Sequence, residues 1–165
     1  MAKYIKAWLL IVVLTISANA GEYSLKEVKK VGGEVAKEVR KKLKKGLREA
    51  KKSGGLEAMA KYCAEKSLKD IEAIEKKYGN GLHVKRISFG NRNPENVPKK
   101  DEEAMLKALD MMAKAGAFLP KTVVQAKEDG SFKLYAPITM NRRTCKKCHG
   151  DKVSIDPKIA DYFAK

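Results

Sequence analysis

Between Ser24 and Lys52 the apolar residues Val28, Val31, Val35, Val39, Leu43 and Leu47 recur every three or four positions. That period predicts one helix with a narrow apolar stripe, kinked at Gly32-Gly33. Ser53-Gly54-Gly55 stops it, and a second helix starting near Leu56 carries Met59, Ala60, Cys63, Ser67, Ile71 and Ile74 on one face. Tyr78-Gly79-Asn80-Gly81 ends that helix with strong turn chemistry. Leu82 to Phe89 reads as a strand, and Gly90 to Lys100, with Pro94 and Pro98, as an ordered loop. Asp101 is placed to cap a third helix whose first turn holds Glu102 and Glu103 and whose face is Met105, Leu106, Leu109 and Met112. Thr122 to Lys127 and Phe132 to Ile138 are strands joined by Glu128-Asp129-Gly130-Ser131, a hairpin. Met140 to Lys165 reads as mostly irregular, with a short helix near Ile159 to Phe163. Helices at one end and hairpin-linked strands at the other predict an α+β domain.

The first twenty residues have a different logic. Lys3 and Lys6 precede an apolar stretch, Ala7 to Ile16, broken only by Thr15, and Ser17-Ala18-Asn19-Ala20 follows. A basic start, an apolar centre and an Ala-x-Ala site are the parts of a secretory leader. Cleavage after Ala20 would leave residues 21–165 as a single domain, and no Cys follows the site to carry a lipid anchor. The alternative is an uncleaved N-terminal anchor, the one route by which the chain would associate with a membrane. No apolar run reaches the roughly 18 residues of a spanning helix. The expected location is the periplasm, where thiols are oxidised.

The length of 165 residues suits one domain, and 44% apolar residues suffice for a core. Losing Lys3 and Lys6 with the leader lowers the net charge from +16 to +14. Lysines dominate that charge, spaced along the predicted helices with few arginines or aromatics between them. A nucleic-acid partner is therefore not expected, export removing most of the opportunity. A solvated helix face accounts for the lysines, and attraction to anionic lipid headgroups or to an acidic partner stays open. Neither paired carboxylates, nor a Gly-rich phosphate loop, nor a nucleophile triad marks the chain as an enzyme.

The strongest signal is Cys145-Lys146-Lys147-Cys148-His149. Cys-x-x-Cys-His is the attachment site of a c-type haem: Cys145 and Cys148 reach the two vinyl groups of one porphyrin edge, and His149 supplies the proximal ligand to iron. A dithiol redox pair would sit in a thioredoxin-like βαβ setting, which is missing, and a zinc site would need a second pair. One motif means one haem c, so a multihaem wire is excluded. For the other face of the iron the residues alone leave Cys63, His83 and the methionines Met111, Met112 and Met140 as candidates. Cys63 could equally be a small buried hydrophobe, and His83 a surface turn residue. Arg86 and Arg92, two of six arginines, flank a loop stiffened by Pro94 and Pro98; a guanidinium fork suits a haem propionate, or it serves the loop itself.

Arg86-x-Ser88, Arg92-Asn93-Pro94-x-Asn96-x-Pro98, an acid about four residues on, and Tyr135-x-Pro137-Ile138 leading into Cys145-x-x-Cys148-His149-Gly150 resemble a family of single-haem c-type proteins, the Tll-type haem domain. The resemblance runs from about Leu43 to Gly150. It implies a PAS-like antiparallel sheet with long N-terminal helices and a C-terminal haem-attachment segment. It also implies a haem held by the motif His and by a Cys from the N-terminal helical region. Gly54-Gly55-x-x-x-Ala58-x-x-x-Tyr62-Cys63 resembles that region, which puts Cys63 ahead of His83. Family members often continue past the haem motif with a stretch that completes the sheet, whereas fifteen residues follow Gly150 here.

The resulting expectation is an exported redox or gas sensor-like module, with a diatomic gas as candidate ligand. It has no output domain of its own and so passes its signal to an unidentified redox or signalling partner. The alternative is a soluble electron-transfer cytochrome whose lysines dock an acidic redox partner.

Overall fold

A computed structural model of the chain describes residues 9–16, 24–79, 81–90, 94–140, 143–149 and 155–164. Along them run β1 (Leu9–Ile16), α1 (Leu25–Lys61), a π turn (Tyr62–Lys66), α2 (Ser67–Tyr78), β2 (Leu82–Ile87), α3 (Lys100–Lys114), β3 (Val123–Ala126), β4 (Phe132–Thr139), α4 (Arg143–His149) and α5 (Pro157–Ala164). The fold is α+β, with one antiparallel sheet of strand order β2-β1-β4-β3. Two compact units are distinguished: 13–85 with 122–136, and the described residues of 1–12, 86–121 and 137–165.

In the first unit, α1 starts at Ser24. The Ser24 hydroxyl accepts from the Glu27 N–H at 3.3 Å, and the Glu27 carboxylate accepts from the Ser24 N–H at 2.7 Å. The two satisfy orphan donors of the first turn, and the Ser24 hydroxyl, donating to the Glu27 carboxylate at 2.6 Å, together with the Ser24 N–H holds that carboxyl below its ordinary value. Val28, Val35, Ala36, Val39 and Leu43 form the buried stripe. The helix runs straight through Gly32-Gly33, contrary to the predicted kink. Gly32 serves packing instead, since a Cβ there would come within 2.5 Å of Leu134 Cδ1. The real break lies at Gly54-Gly55, where Gly55 has φ 64° and ψ −139°. That conformation is open only to glycine.

Past the break the chain returns alongside itself. Lys77 pairs with Glu38 at 2.8 Å and Lys42 with Asp70 at 3.3 Å. The Tyr78 hydroxyl also donates to Glu38, at 3.0 Å. Rising numbers on one helix meet falling numbers on the other, so α1 and the π turn with α2 form an antiparallel hairpin. Lys77 and Tyr78 together hold the Glu38 carboxyl below its ordinary value. Gly79, at φ 59°, ends α2 and donates to Glu75 O at 2.9 Å.

The β3–β4 hairpin matches expectation. Val123 faces Tyr135, Val124 faces Leu134, Gln125 faces Lys133 and Ala126 faces Phe132. Its turn closes through Lys127 N–H to Ser131 O at 2.9 Å, with Gly130 at φ 77°. Asp129 accepts from the Ser131 N–H and hydroxyl at 2.9 and 2.6 Å, which keeps its carboxyl below the ordinary value. Pro137 lies beyond the last residue of β4 paired with β3, where a missing N–H costs that ladder nothing.

In the second unit, α3 buries Leu106 and Leu109 on the predicted face, while Met112 and Met111 turn outward at 37% and 70% exposure. Its cap differs from the expected one. The helix begins before Asp101, and the buried Glu102 carboxylate accepts from the Lys99 N–H at 2.8 Å. A carboxylate at the third helical position reaches back more directly than Asp101 can from inside the first turn. The C-terminal helix α5 starts at Pro157 behind Asp156, whose carboxylate accepts from the Lys158 N–H at 3.2 Å. The predicted short helix is therefore present, and residues 157–164 add no strand to the sheet.

One strand departs from the sequence reading. The centre of the expected leader is β1, and Ile11, Val12, Val13 and Leu14 are all 0–1% exposed. Four consecutive buried residues mean that both faces of the strand are covered, and its place between β2 and β4 leaves neither edge open.

Candidate functional site

The Cys-x-x-Cys-His motif lies on α4, a seven-residue helix whose neighbouring positions 141, 142 and 150 fall outside the described residues. Cys145 and Cys148 are three apart, so a single helical turn puts both thiols on one side, with His149 closing the helix. All three side chains are half-buried. No disulfide links Cys145, Cys148 or Cys63. After the motif the chain is tied back, the Asp156 N–H donating to Lys147 O at 3.0 Å. Helix α5 then packs against α4, with Ile159 1% exposed. Two thiols in register beside an imidazole are the donor set that covalent haem attachment needs. Among the described residues no cluster of three or more His, Cys, Asp or Glu is arranged for a bare metal ion.

Cys63 belongs to the other unit and sits in the π turn Tyr62–Lys66 that joins α1 to α2. A π turn inserts one extra residue into a helix, and such turns occur often at functional positions. Here the Ser67 hydroxyl donates to the Cys63 carbonyl at 2.7 Å, supporting the widened turn. The Tyr62 ring anchors it. Its hydroxyl donates to Asp70 at 2.8 Å, and its ring lies so close to α1 that a Cβ on Gly46 would approach within 2.1 Å. Cys63 is half-buried, between the fully enclosed Ser67 and the buried Met59, Ala60 and Ile71. Neither the π turn nor the Gly46–Tyr62 contact is visible in the apolar periodicity. The signals that could have pointed to them are a serine four residues after Cys63 and a glycine inside an otherwise strong helix.

His83 has a partner of its own. On β2, with its side chain 66% exposed, its Nδ1 lies 2.8 Å from Glu75 Oε1. The same carboxylate oxygen accepts from the Val84 N–H, so Glu75 fastens the start of β2 to α2. Arg86 lies further along β2 with its Nε buried. Arg92, its partner in the propionate reading, lies outside the described residues. Of the candidate methionines, Met111 and Met112 are exposed on α3 and Met140 is half-buried after β4.

The sequence model of the Tll0287-like family matches residues 18–165. The chain belongs to the Tll0287-like family. Proteins of this family are haem-binding, cytochrome-like domains. The match covers α4 with Cys145, Cys148 and His149, the π turn with Cys63, and β2 with His83 and Arg86, and it starts after β1. No curated protein and no solved structure matches this Tll0287-like chain. The donor residues on α4 fit the family's group: two thiols and an imidazole.

Proposed function

We propose that this Tll0287-like domain is an exported, PAS-like module carrying one covalent haem c, which it uses to sense redox state or a diatomic gas. The observation that carries the reading is the helical placement of Cys145, Cys148 and His149 in a member of a haem-binding family. Cys145 and Cys148 would form the thioether links, and His149 would hold the iron from one side. Cys63 would hold it from the other. Arg86 and Arg92 would take the propionates through charge-assisted forks. A haem bound by thiolate and imidazole supplies a one-electron couple at low potential and, when one ligand leaves, a place for a diatomic gas.

The chain's contribution is to make that ligand movable. Cys63 is carried on a π turn rather than a regular helical turn, and the Ser67 hydroxyl donates to its carbonyl. Gain or loss of a bond at its sulfur therefore acts directly on the junction between α1 and α2. Export is supported by the basic start, the apolar run and the Ala-x-Ala site, and by a family match that begins within that site. In this reading β1 belongs to the full-length chain and leaves with the leader. Its output would pass to another protein.

The test is the Cys63→Ala variant of the exported holoprotein. The expected result is a changed ferric optical and EPR spectrum and a higher midpoint potential, with the covalent haem retained. An unchanged ferric spectrum removes Cys63 from the iron and with it the sensor mechanism.

A second reading, a soluble electron carrier, is favoured by the lysine-rich surface, with net charge +16 on 165 residues. It predicts a mid-range potential and fast electron exchange with an acidic partner.

A further inference from the structure

The helical hairpin of α1 and α2 holds a groove of about 730 Å³ beside the π turn. Lys42 and Lys45 line it from α1, and Lys61, Lys66 and Lys69 from the returning arm. Five of its twelve lining residues are lysine. Two carboxylates, Glu49 and Asp70, share the lining. Each is already engaged: Asp70 with Lys42 and the Tyr62 hydroxyl, Glu49 with Lys45. Among the described residues, Lys61, Lys66 and Lys69 make no ion pair, and all three are exposed. Three ammonium groups are left facing one concavity.

We infer that this groove docks a protruding, carboxylate-rich segment of a partner protein. Shape and chemistry select that occupant. A flat anionic membrane cannot enter a concave site between two helices, whereas a protruding chain segment can. A small phosphate held by lysines alone would meet point charges without a directed fork. The lining holds flexible lysines and no arginine, which suits steered, salt-sensitive protein docking. Tyr62 forms part of the groove and precedes Cys63, so an occupant would rest on the turn that carries the proposed ligand. The inference rests on the proposed function only in taking the partner to be the receiver of the haem's signal.

The test uses the exported holoprotein and a fluorescent hexaglutamate peptide, titrated by anisotropy at low and at physiological salt. Lys61→Glu, Lys66→Glu and Lys69→Glu together are expected to weaken peptide binding by about tenfold or more, because like charges then face the carboxylates. Lys26→Glu, Lys29→Glu and Lys30→Glu make the same change of net charge away from the groove and are expected to leave binding within about threefold. Equal losses in the two triple variants would reduce the effect to net charge and overturn the inference. Absence of binding by the unaltered protein would overturn it too, as would tighter binding to phosphatidylserine vesicles than to the peptide. The haem spectrum reports separately: the expected spectrum without peptide binding defeats the docking site alone, and peptide binding by a chain that acquires no haem defeats the haem reading alone.

Discussion

Replacing Cys145 and Cys148 together by Ala is expected to abolish covalent haem in the exported protein. The reason lies in the kind of bond. With both thiols present, porphyrin would be fixed by two thioethers that no denaturant breaks. With both removed, His149 and the surrounding side chains can offer only coordination and packing, which unfolding releases. After denaturing electrophoresis the unaltered protein should carry haem on the peptide containing Cys145 to His149, and the double variant should carry none. Each single variant keeps one thioether and should retain haem at reduced yield. Covalent haem in the double variant would place the attachment elsewhere in the chain. The half-buried setting of α4 makes both substitutions mild for the fold, so the loss should be one of cofactor rather than of structure.

Leu14→Ala is expected to have a large effect on one form of the protein and none on another. Leu14 is 0% exposed in β1, between β2 and β4. Truncating a buried leucine removes transfer free energy and leaves a cavity, at a cost of about 2–5 kcal/mol. In the full-length chain, made without export, Tm should therefore fall by roughly 10 °C, at about 2–4 °C per kcal/mol for a chain of this size. In protein exported and cleaved after Ala20, residue 14 is gone and Tm should match that of unaltered protein. The substitution keeps the run apolar, so export itself should proceed. The same fall in Tm in the exported protein would show that β1 is retained, and would end the cleavage reading.

The contrast between these forms also explains which parts of the fold could be read from the chain. Helices α1, α2 and α3 were legible because a period of 3.6 and strong glycine stops leave few alternatives. The β3–β4 hairpin was legible because Asp129-Gly130 specifies its turn. β1 was not legible as a strand, because a short run, apolar but for Thr15, has no alternation and reads equally well as the centre of a leader. Gly32 was misread as a kink because its reason is contact with Leu134, far away in the sequence. The α3 cap was misplaced because Asp101 and Glu102 are both competent acids, and only burial shows which one turns back to the Lys99 N–H.

At the site, the spacing of Cys145, Cys148 and His149 was complete in the sequence, because it is local chemistry on one helix. The surroundings of Cys63 were not. A π turn shifts the register of later residues by one position, and a pattern of apolar residues absorbs that shift without a visible break. His83 gained its partner through the turn between α2 and β2, which brings Glu75 beside it. Periodicity on either element alone gives no sign of that pairing.

The central claim is that one porphyrin is bonded to the C-terminal motif of an exported chain. Intact and peptide mass spectrometry of the exported protein tests it most directly. The account predicts a chain beginning at Gly21 with the mass of one haem added, located on the peptide that spans Cys145 to His149. An exported chain bearing no added mass on that peptide would contradict it.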